Sequence, residues 1–103
     1  MRTGRADPLE AFVDESLQLF ATRGYHPHEF IRMREQYGTV DAVERLVRSG
    51  EIQSGFKRLQ GLRMLDRSME GTVQRFPERF TSEALECANF RITHANDPTL
   101  RAR

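Results

Sequence analysis

Apolar residues recur along this chain at steps of three and four residues, the spacing that places them on one face of an α-helix. The pattern is clearest after Asp7-Pro8, where the aspartate can cap a helix and the proline fits its first position. Gly24 then supplies a stop signal. The first predicted helix lies between these signals, with a buried stripe of Leu9, Phe12, Val13, Leu17 and Phe20.

Prolines and glycines divide the next stretch into two more predicted helices. Pro27 suits the first position of a second helix, which Gly38 ends. Thr39 is a typical capping residue for a third helix, which stops at Ser49-Gly50. The expected inner faces are Phe30, Met33, Arg34 and Tyr37 on the second helix and Val40, Val43, Leu46 and Val47 on the third.

A short fourth helix is predicted after a turn at 51–54, because Phe56 and Leu59 are three residues apart and Gly61 follows them. A helix this short depends on packing for its stability. Residues 39–60 therefore have the layout of a helix-turn-helix, with two helices separated by a glycine-containing turn.

Two more helices complete the predicted chain. Asp66 or Ser68 caps a fifth helix, which Pro77 ends and which Gly71 weakens by about 1 kcal/mol relative to alanine. Thr81 caps a sixth helix over 82–93. The expected inner positions are Met69, Val73 and Phe76 on the fifth helix and Leu85, Ala88 and Ile92 on the sixth.

These signals predict an all-α fold, a single compact domain of about five to six short helices that contains the helix-turn-helix-like pair. The 103 residues are enough for one hydrophobic core. We take 1–103 as one domain. The segments 1–6 and 94–103 are expected to be disordered arms because they consist mainly of polar and turn-forming residues.

The composition indicates a soluble protein. Mean hydropathy is -0.64, and no apolar run approaches the roughly 20 residues of a membrane span. The first ten residues lack the apolar centre of a signal peptide. The lone Cys87 cannot form an internal disulfide, which fits a reducing compartment. We therefore expect a cytoplasmic location and no membrane partner.

Charge is the one feature that points to a function. The net charge is only +1, but between Arg45 and Arg75 seven cations stand against three carboxylates. Cations concentrated around a helix-turn-helix-like pair would suit contacts with phosphates. The predicted nucleic-acid-binding residues, for either DNA or RNA, are Arg48, Ser54, Lys57, Arg58, Arg63 and Arg67.

Two other interpretations stay open at this point. Arginines between helices commonly form the ordinary solvated surface of a helical bundle, with no ligand. Exposed apolar residues such as Phe76, Phe80 and Phe90 would instead favour a protein-interaction or homo-oligomerisation module that does not bind nucleic acid.

The sequence nominates no catalytic residue and no cofactor. His26, His28 and His94 could hold a metal only if the fold brought them together, and a proline separates the first two. The chain has no phosphate-binding glycine loop, no zinc-ribbon cysteine pattern and no recognisable nucleophile motif. The sequence therefore does not support enzyme activity, without excluding it, and we expect no metal site and no small-molecule ligand.

One set of positions also occurs in a known type of domain. The set comprises Gly24-Tyr25, Pro27, Phe30, Met33, Tyr37-Gly38, Ala42, Leu46, Ser54-Gly55-Phe56, Leu59, Leu65-Asp66, Glu70, Leu85 and Ala88. On these residues, the stretch 24–92 resembles a small bacterial all-helical domain of uncharacterised function. Such domains occur free-standing or appended to nuclease- or defence-type proteins. The resemblance implies an accessory module and carries over no catalytic residue.

Overall fold

The structure, a computed structural model, describes residues 7–49 and 54–95, and these residues are mostly helical. They form six α-helices and two single 3-10 turns, at Leu65–Arg67 and Pro77–Arg79, and contain no β-strand. The predicted all-α class is confirmed. No helix in the described ranges is long and apolar enough to cross a membrane. The helices are α1 (Pro8–Thr22), α2 (His28–Tyr37), α3 (Thr39–Val47), α4 (Ser54–Gly61), α5 (Met69–Arg75) and α6 (Ser82–Thr93).

The first and last helices begin at their predicted caps. The Asp7 carboxylate accepts a hydrogen bond from the amide of Leu9 at 3.0 Å, and Pro8 occupies the first helical position. The Thr81 hydroxyl accepts from the amide of Ala84 at 3.1 Å. Each cap satisfies an amide that the first helical turn leaves without an internal partner, and both predictions are confirmed.

Ser68 caps α5, and the glycine behind it is required by the packing. The Ser68 hydroxyl accepts from the amide of Gly71 at 3.0 Å, so Ser68 rather than Asp66 is the cap. A Cβ added to Gly71 would lie 2.5 Å from the carbonyl oxygens of Leu65 and Asp66. Gly71 therefore lets the preceding 3-10 turn lie directly against α5. The destabilisation predicted for a glycine within a helix does not include this packing role.

Thr39 does not cap α3, contrary to the prediction. Gly38 precedes the helix with a φ of 91°, and Thr39 is the first helical residue. The Thr39 hydroxyl accepts from Nε of Arg34 at 2.7 Å and donates to Oε1 of Glu10, also at 2.7 Å. It therefore links three helices instead of capping one. Pro27 likewise lies just before α2 and not in its first position.

α1 and α4 end in the same hydrogen-bonded motif, with a different residue at its central position. In both, the amides of two successive residues bond back to carbonyls of the last helical turn. The first of these residues has a left-handed backbone, and it is Gly24 (φ 74°) after α1 but Arg63 (φ 61°) after α4. Gly61, which was predicted to stop the fourth helix, is instead its last residue.

The core lies between two closely packed helix pairs, α2 with α3 and α5 with α6. α3 joins the pairs because it also contacts α5 and α6. α4, the second helix of the predicted helix-turn-helix-like pair, makes its main contacts with the 3-10 turn Leu65–Arg67, and residues 50–53 before it lie outside the described ranges. The central buried cluster is Leu9, Val13, Phe30, Ala42, Val43, Val47, Val73, Ala84 and Ala88.

The two predicted arms lie largely outside the part of the chain that the structure describes, which leaves out 1–6 and 96–103. His94 and Ala95 belong to the described part. Ala95 is buried, and its carbonyl accepts from the side-chain amide of Gln60 at 2.9 Å. This contact ties the end of α6 to α4.

Candidate nucleic-acid interface

α4 is an amphipathic helix that presents two cations to solvent. Phe56 and Leu59 are buried, as predicted, whereas Lys57 and Arg58 between them are exposed. Because two apolar side chains hold one side of the helix against the protein, the intervening residues lie on the opposite side. Lys57 and Arg58 thus occupy the surface positions predicted for them.

Arg63 adds a third cation beside α4. It is exposed and follows the helix by two residues, in the left-handed position of the helix-ending motif. None of Lys57, Arg58 and Arg63 has a carboxylate within ion-pair distance among the described residues. We call these three residues the α4 basic patch.

Arg58 is placed by an aromatic ring at the end of α1. Its guanidinium carbon lies 5.5 Å from the centre of the Tyr25 ring, within the range of a cation–π contact. The Tyr25 hydroxyl lies against Gly55 near the start of α4. Burial raises the pKa of Tyr25, and the positive charge of Arg58 opposes that rise in part. The phenol therefore stays neutral at physiological pH and leaves the charge of Arg58 uncompensated.

Arg48 differs from the residues of the α4 basic patch because it is already paired. Its guanidinium lies 2.8 Å from the carboxylate of Glu83 and 3.5 Å from that of Glu44. Glu44 also accepts hydrogen bonds from the backbone amide and hydroxyl of Thr81. Arg48 therefore belongs to an ion-pair cluster that joins α3 to the start of α6.

Arg67 is likewise engaged within the protein. Its Nη1 lies 3.1 Å from the carboxylate of Glu15 and 3.2 Å from the hydroxyl of Ser16. Its guanidinium also covers the ring of Phe12 at 4.6 Å, and Arg75 lies at 4.8 Å from the same ring. Arg67 is thus held on α1 and carries a balanced charge.

Arg75 is a further exposed cation, which the sequence did not nominate for the site and which lies outside the α4 basic patch. It is exposed and has no carboxylate partner in the ranges 7–49 and 54–95. Its contact with Phe12 joins the end of α5 to α1, and no periodic signal connects two residues so far apart in the chain. In the sequence, Arg75 contributed only to the count of cations between Arg45 and Arg75.

Three of the six predicted residues are therefore exposed cations without a carboxylate partner in the described ranges. Lys57, Arg58 and Arg63 lie together on and beside α4, while Arg48 and Arg67 are in ion pairs elsewhere. Ser54 is the first residue of α4, and its side chain lies outside the described part of the structure. The candidate interface is consequently smaller than the charge count predicted.

The residues named for a protein-interaction surface and for a metal site lie on different elements of the fold. Phe76 and Phe80 are half-buried against the core. Phe90 is 55% exposed, and its ring contacts that of His94 in a tilted arrangement with ring centres 4.4 Å apart. His26 and His28 stack on each other near the start of α2. Among the residues that the structure describes, no three histidine, cysteine or acidic side chains are grouped so as to hold a metal.

Comparison of the chain with protein families, curated proteins and solved structures found no match.

Proposed function

We propose that this protein is a non-catalytic helical module that binds nucleic acid through phosphate contacts made by the α4 basic patch. The observation that carries the proposal is that Lys57, Arg58 and Arg63, on or directly after α4, are all exposed and have no carboxylate partner in the described ranges. Unpaired cations of this kind release counterions from a phosphate backbone on binding, which is the main source of sequence-independent affinity.

The backbone of Arg63 supports the same proposal. A left-handed conformation costs an ordinary residue roughly 1–2 kcal/mol, and glycine takes that position at the end of α1 without the cost. The carbonyl end of α4 attracts a nearby cation and offsets part of this cost. A strained residue on an exposed surface is a reason to look for a function in its side chain.

The proposed contacts position nucleic acid without reading its sequence. α4 has only eight residues, and among its described side chains no amide is exposed beside the cations to read base edges. We therefore expect similar affinities for different sequences of equal length. Binding should weaken steeply with salt because it depends on counterion release.

Fluorescence anisotropy with labelled oligonucleotides tests the proposal. Duplex and single-stranded probes of two unrelated sequences would be titrated at about 50 mM and about 200 mM salt. We expect binding at the lower salt that is weaker at the higher salt and independent of sequence. No binding of either probe at the lower salt would remove the proposal.

Charge reversal assigns the binding to the α4 basic patch. The variant K57E/R58E should lose at least about tenfold in affinity at low salt, and its salt dependence should fall by about two phosphate contacts. The matched control R32E/R45E changes the net charge equally at exposed positions on α2 and α3. Equal losses in both variants would mean that net charge, and not this patch, determines binding.

A further inference from the structure

A pocket of about 200 Å³ lies where the end of α1, the start of α2, α4 and the start of α5 meet. It is separate in chemistry from the α4 basic patch, since most of its wall is apolar. A cavity of about 150 Å³ is enough to bind benzene when its walls are apolar. The apolar lining includes Phe20, Phe30, Leu46, Phe56, Leu59 and Met69.

One wall of the pocket carries a buried carboxylate with an unused oxygen. The Glu70 side chain is 2% exposed, and its Oε2 accepts from Nη1 of Arg91 at 2.8 Å. Its other oxygen accepts no hydrogen bond from the described residues. Every fully buried side-chain polar atom in those residues has a partner, so this oxygen is not sealed in the core. Because Glu70 lines the pocket, the pocket is the space from which a ligand could reach this oxygen.

A second polar group lies at the same pocket. Tyr25 lines it, and its hydroxyl makes no hydrogen bond with any described residue. The hydroxyl of Ser68, which also lines the pocket, is fully used by the carbonyl of Leu65 and the amide of Gly71. The pocket therefore combines apolar walls with one buried carboxylate and one phenol, and the exposed residues His26, His28 and Glu29 complete its lining.

We propose that this pocket binds a small, flat, neutral aromatic molecule that donates one N–H or O–H hydrogen bond to Glu70. The apolar walls favour an aromatic ring system, since water in such a space is poorly held and readily displaced. The donor is required because a ligand without one would strip water from a carboxylate oxygen and replace it with nothing.

The charges around the pocket decide that the ligand is neutral. Arg91 already balances Glu70, and the other carboxylate of the lining, Glu29, is exposed to solvent. A cationic ligand would therefore bring a poorly compensated charge into an apolar space beside Arg58. An anionic ligand would meet the carboxylate of Glu70 at short range. A neutral donor satisfies the free oxygen without adding charge.

Indole and indene are suitable probes because they have the same size and shape, and only indole has an N–H. We would follow the amide resonances of the full chain by two-dimensional NMR during titration with each compound. Indole should bind with a Kd of about 0.1–1 mM and shift resonances of pocket residues, given typical affinities for nine-atom ligands. Indene should bind at least about tenfold more weakly. Equal affinities, or no binding of indole, would overturn the proposal.

A filled pocket provides the second test. L46F enlarges a half-buried side chain that lines the pocket and leaves the Glu70–Arg91 pair untouched. It should weaken indole binding at least about tenfold, while the control L19F, at a 37% exposed position outside the pocket lining, should bind indole as the unmodified protein does. Unchanged indole binding by a folded L46F would place the ligand elsewhere and contradict the proposal. Should L46F not fold, the indole–indene comparison on the unmodified protein still decides.

Discussion

Gly24 and Arg63 occupy the same left-handed position in two copies of one helix-ending motif, and they differ in what they cost. Glycine has no Cβ to collide with the neighbouring carbonyl, whereas arginine does. The space around Gly24 is open, so packing does not explain why a glycine is there, and backbone conformation does. The left-handed conformation at Arg63 therefore lowers the stability of the folded protein, and the proposed phosphate contact would account for a cation at this position.

Replacing Arg63 with glycine should separate stability from binding. R63G should raise the free energy of unfolding by about 1 kcal/mol, because glycine relieves the left-handed strain. The same variant should bind nucleic acid more weakly, because one cation of the α4 basic patch is lost. Urea denaturation and anisotropy measure the two effects. The reciprocal control G24A should lower stability by a similar amount, and a destabilised R63G would show that its side chain holds the fold together.

Gly71 should respond to alanine in the opposite sense to an ordinary helical glycine. G71A should lower the free energy of unfolding by about 2 kcal/mol, because the new methyl group would collide with the carbonyls of Leu65 and Asp66. The control is G61A, at an exposed helical position with nothing within 4 Å, which should raise stability by up to about 1 kcal/mol. Both are measured by urea denaturation, and a neutral or stabilising G71A would mean that the 3-10 turn can move away.

The roles of these glycines could not be predicted from the sequence, and the reason is geometric. A glycine near the end of an apolar period predicts a stop, which is correct at Gly24 but wrong at Gly61. The difference depends on which residue reaches the left-handed conformation. At Gly71 the decisive contact is with the backbone of the preceding turn, and no periodicity in the sequence describes that approach.

At the scale of the helices, the caps of α1 and α6 were predictable because the interaction is local. Asp7 and Thr81 bond to amides two and three residues away, and the sequence contains both partners in one short window. The second partner of Asp7 is Arg79, which lies 72 residues away at 3.0 Å. Thr39 shows the converse, because its hydroxyl bonds to Glu10 on α1, 29 residues away, and to Arg34 on α2 instead of capping α3.

The two partners of Asp7 predict how the start of α1 responds to acid. The hydrogen bond from Arg79, helped by the amide of Leu9, holds the pKa of Asp7 below its ordinary value of 3.8. A carboxyl whose pKa is lowered by folding stabilises the folded state at pH values above its unfolded pKa. This stabilisation is lost as the pH falls through the folded pKa.

Replacing Asp7 with asparagine keeps the cap but removes the charge. D7N should therefore be less stable than the unmodified protein at pH 7, and the difference should shrink between about pH 5 and pH 2. Urea denaturation across that range measures it, and a difference that does not change with pH would exclude Asp7 ionisation as its cause.

At the scale of the whole molecule, the positive excess counted between Arg45 and Arg75 is distributed over several surfaces. Arg48 pairs with Glu83 and Arg67 pairs with Glu15, and both carboxylates lie outside the counted window. A count along the chain cannot include such partners, because they depend on how the helices pack. The exposed cations of α4 were predictable from its amphipathic pattern, but the pairing that leaves them as the candidate interface was not.

The ion pair between α5 and α6 is the interaction whose loss the whole fold should feel. Glu70 and Arg91 have side chains that are 2% and 7% exposed, and they lie on the two helices that pack most closely. Removing one partner leaves a buried charge uncompensated, so R91M should lower the free energy of unfolding by about 3–5 kcal/mol. The double variant E70M/R91M removes both charges and keeps the volume apolar, and it should recover most of that loss.

A thermodynamic cycle of the unmodified protein, E70M, R91M and the double variant, followed by urea denaturation, measures this coupling. Additive losses would mean that each side chain acts by packing alone, and not as a pair. Because the double variant also lacks the carboxylate at the pocket, it should bind indole and indene alike while remaining folded. The cycle thus measures how much the Glu70–Arg91 pair stabilises the fold. Indole and indene binding by the double variant tests separately whether the free oxygen of Glu70 determines the proposed ligand preference.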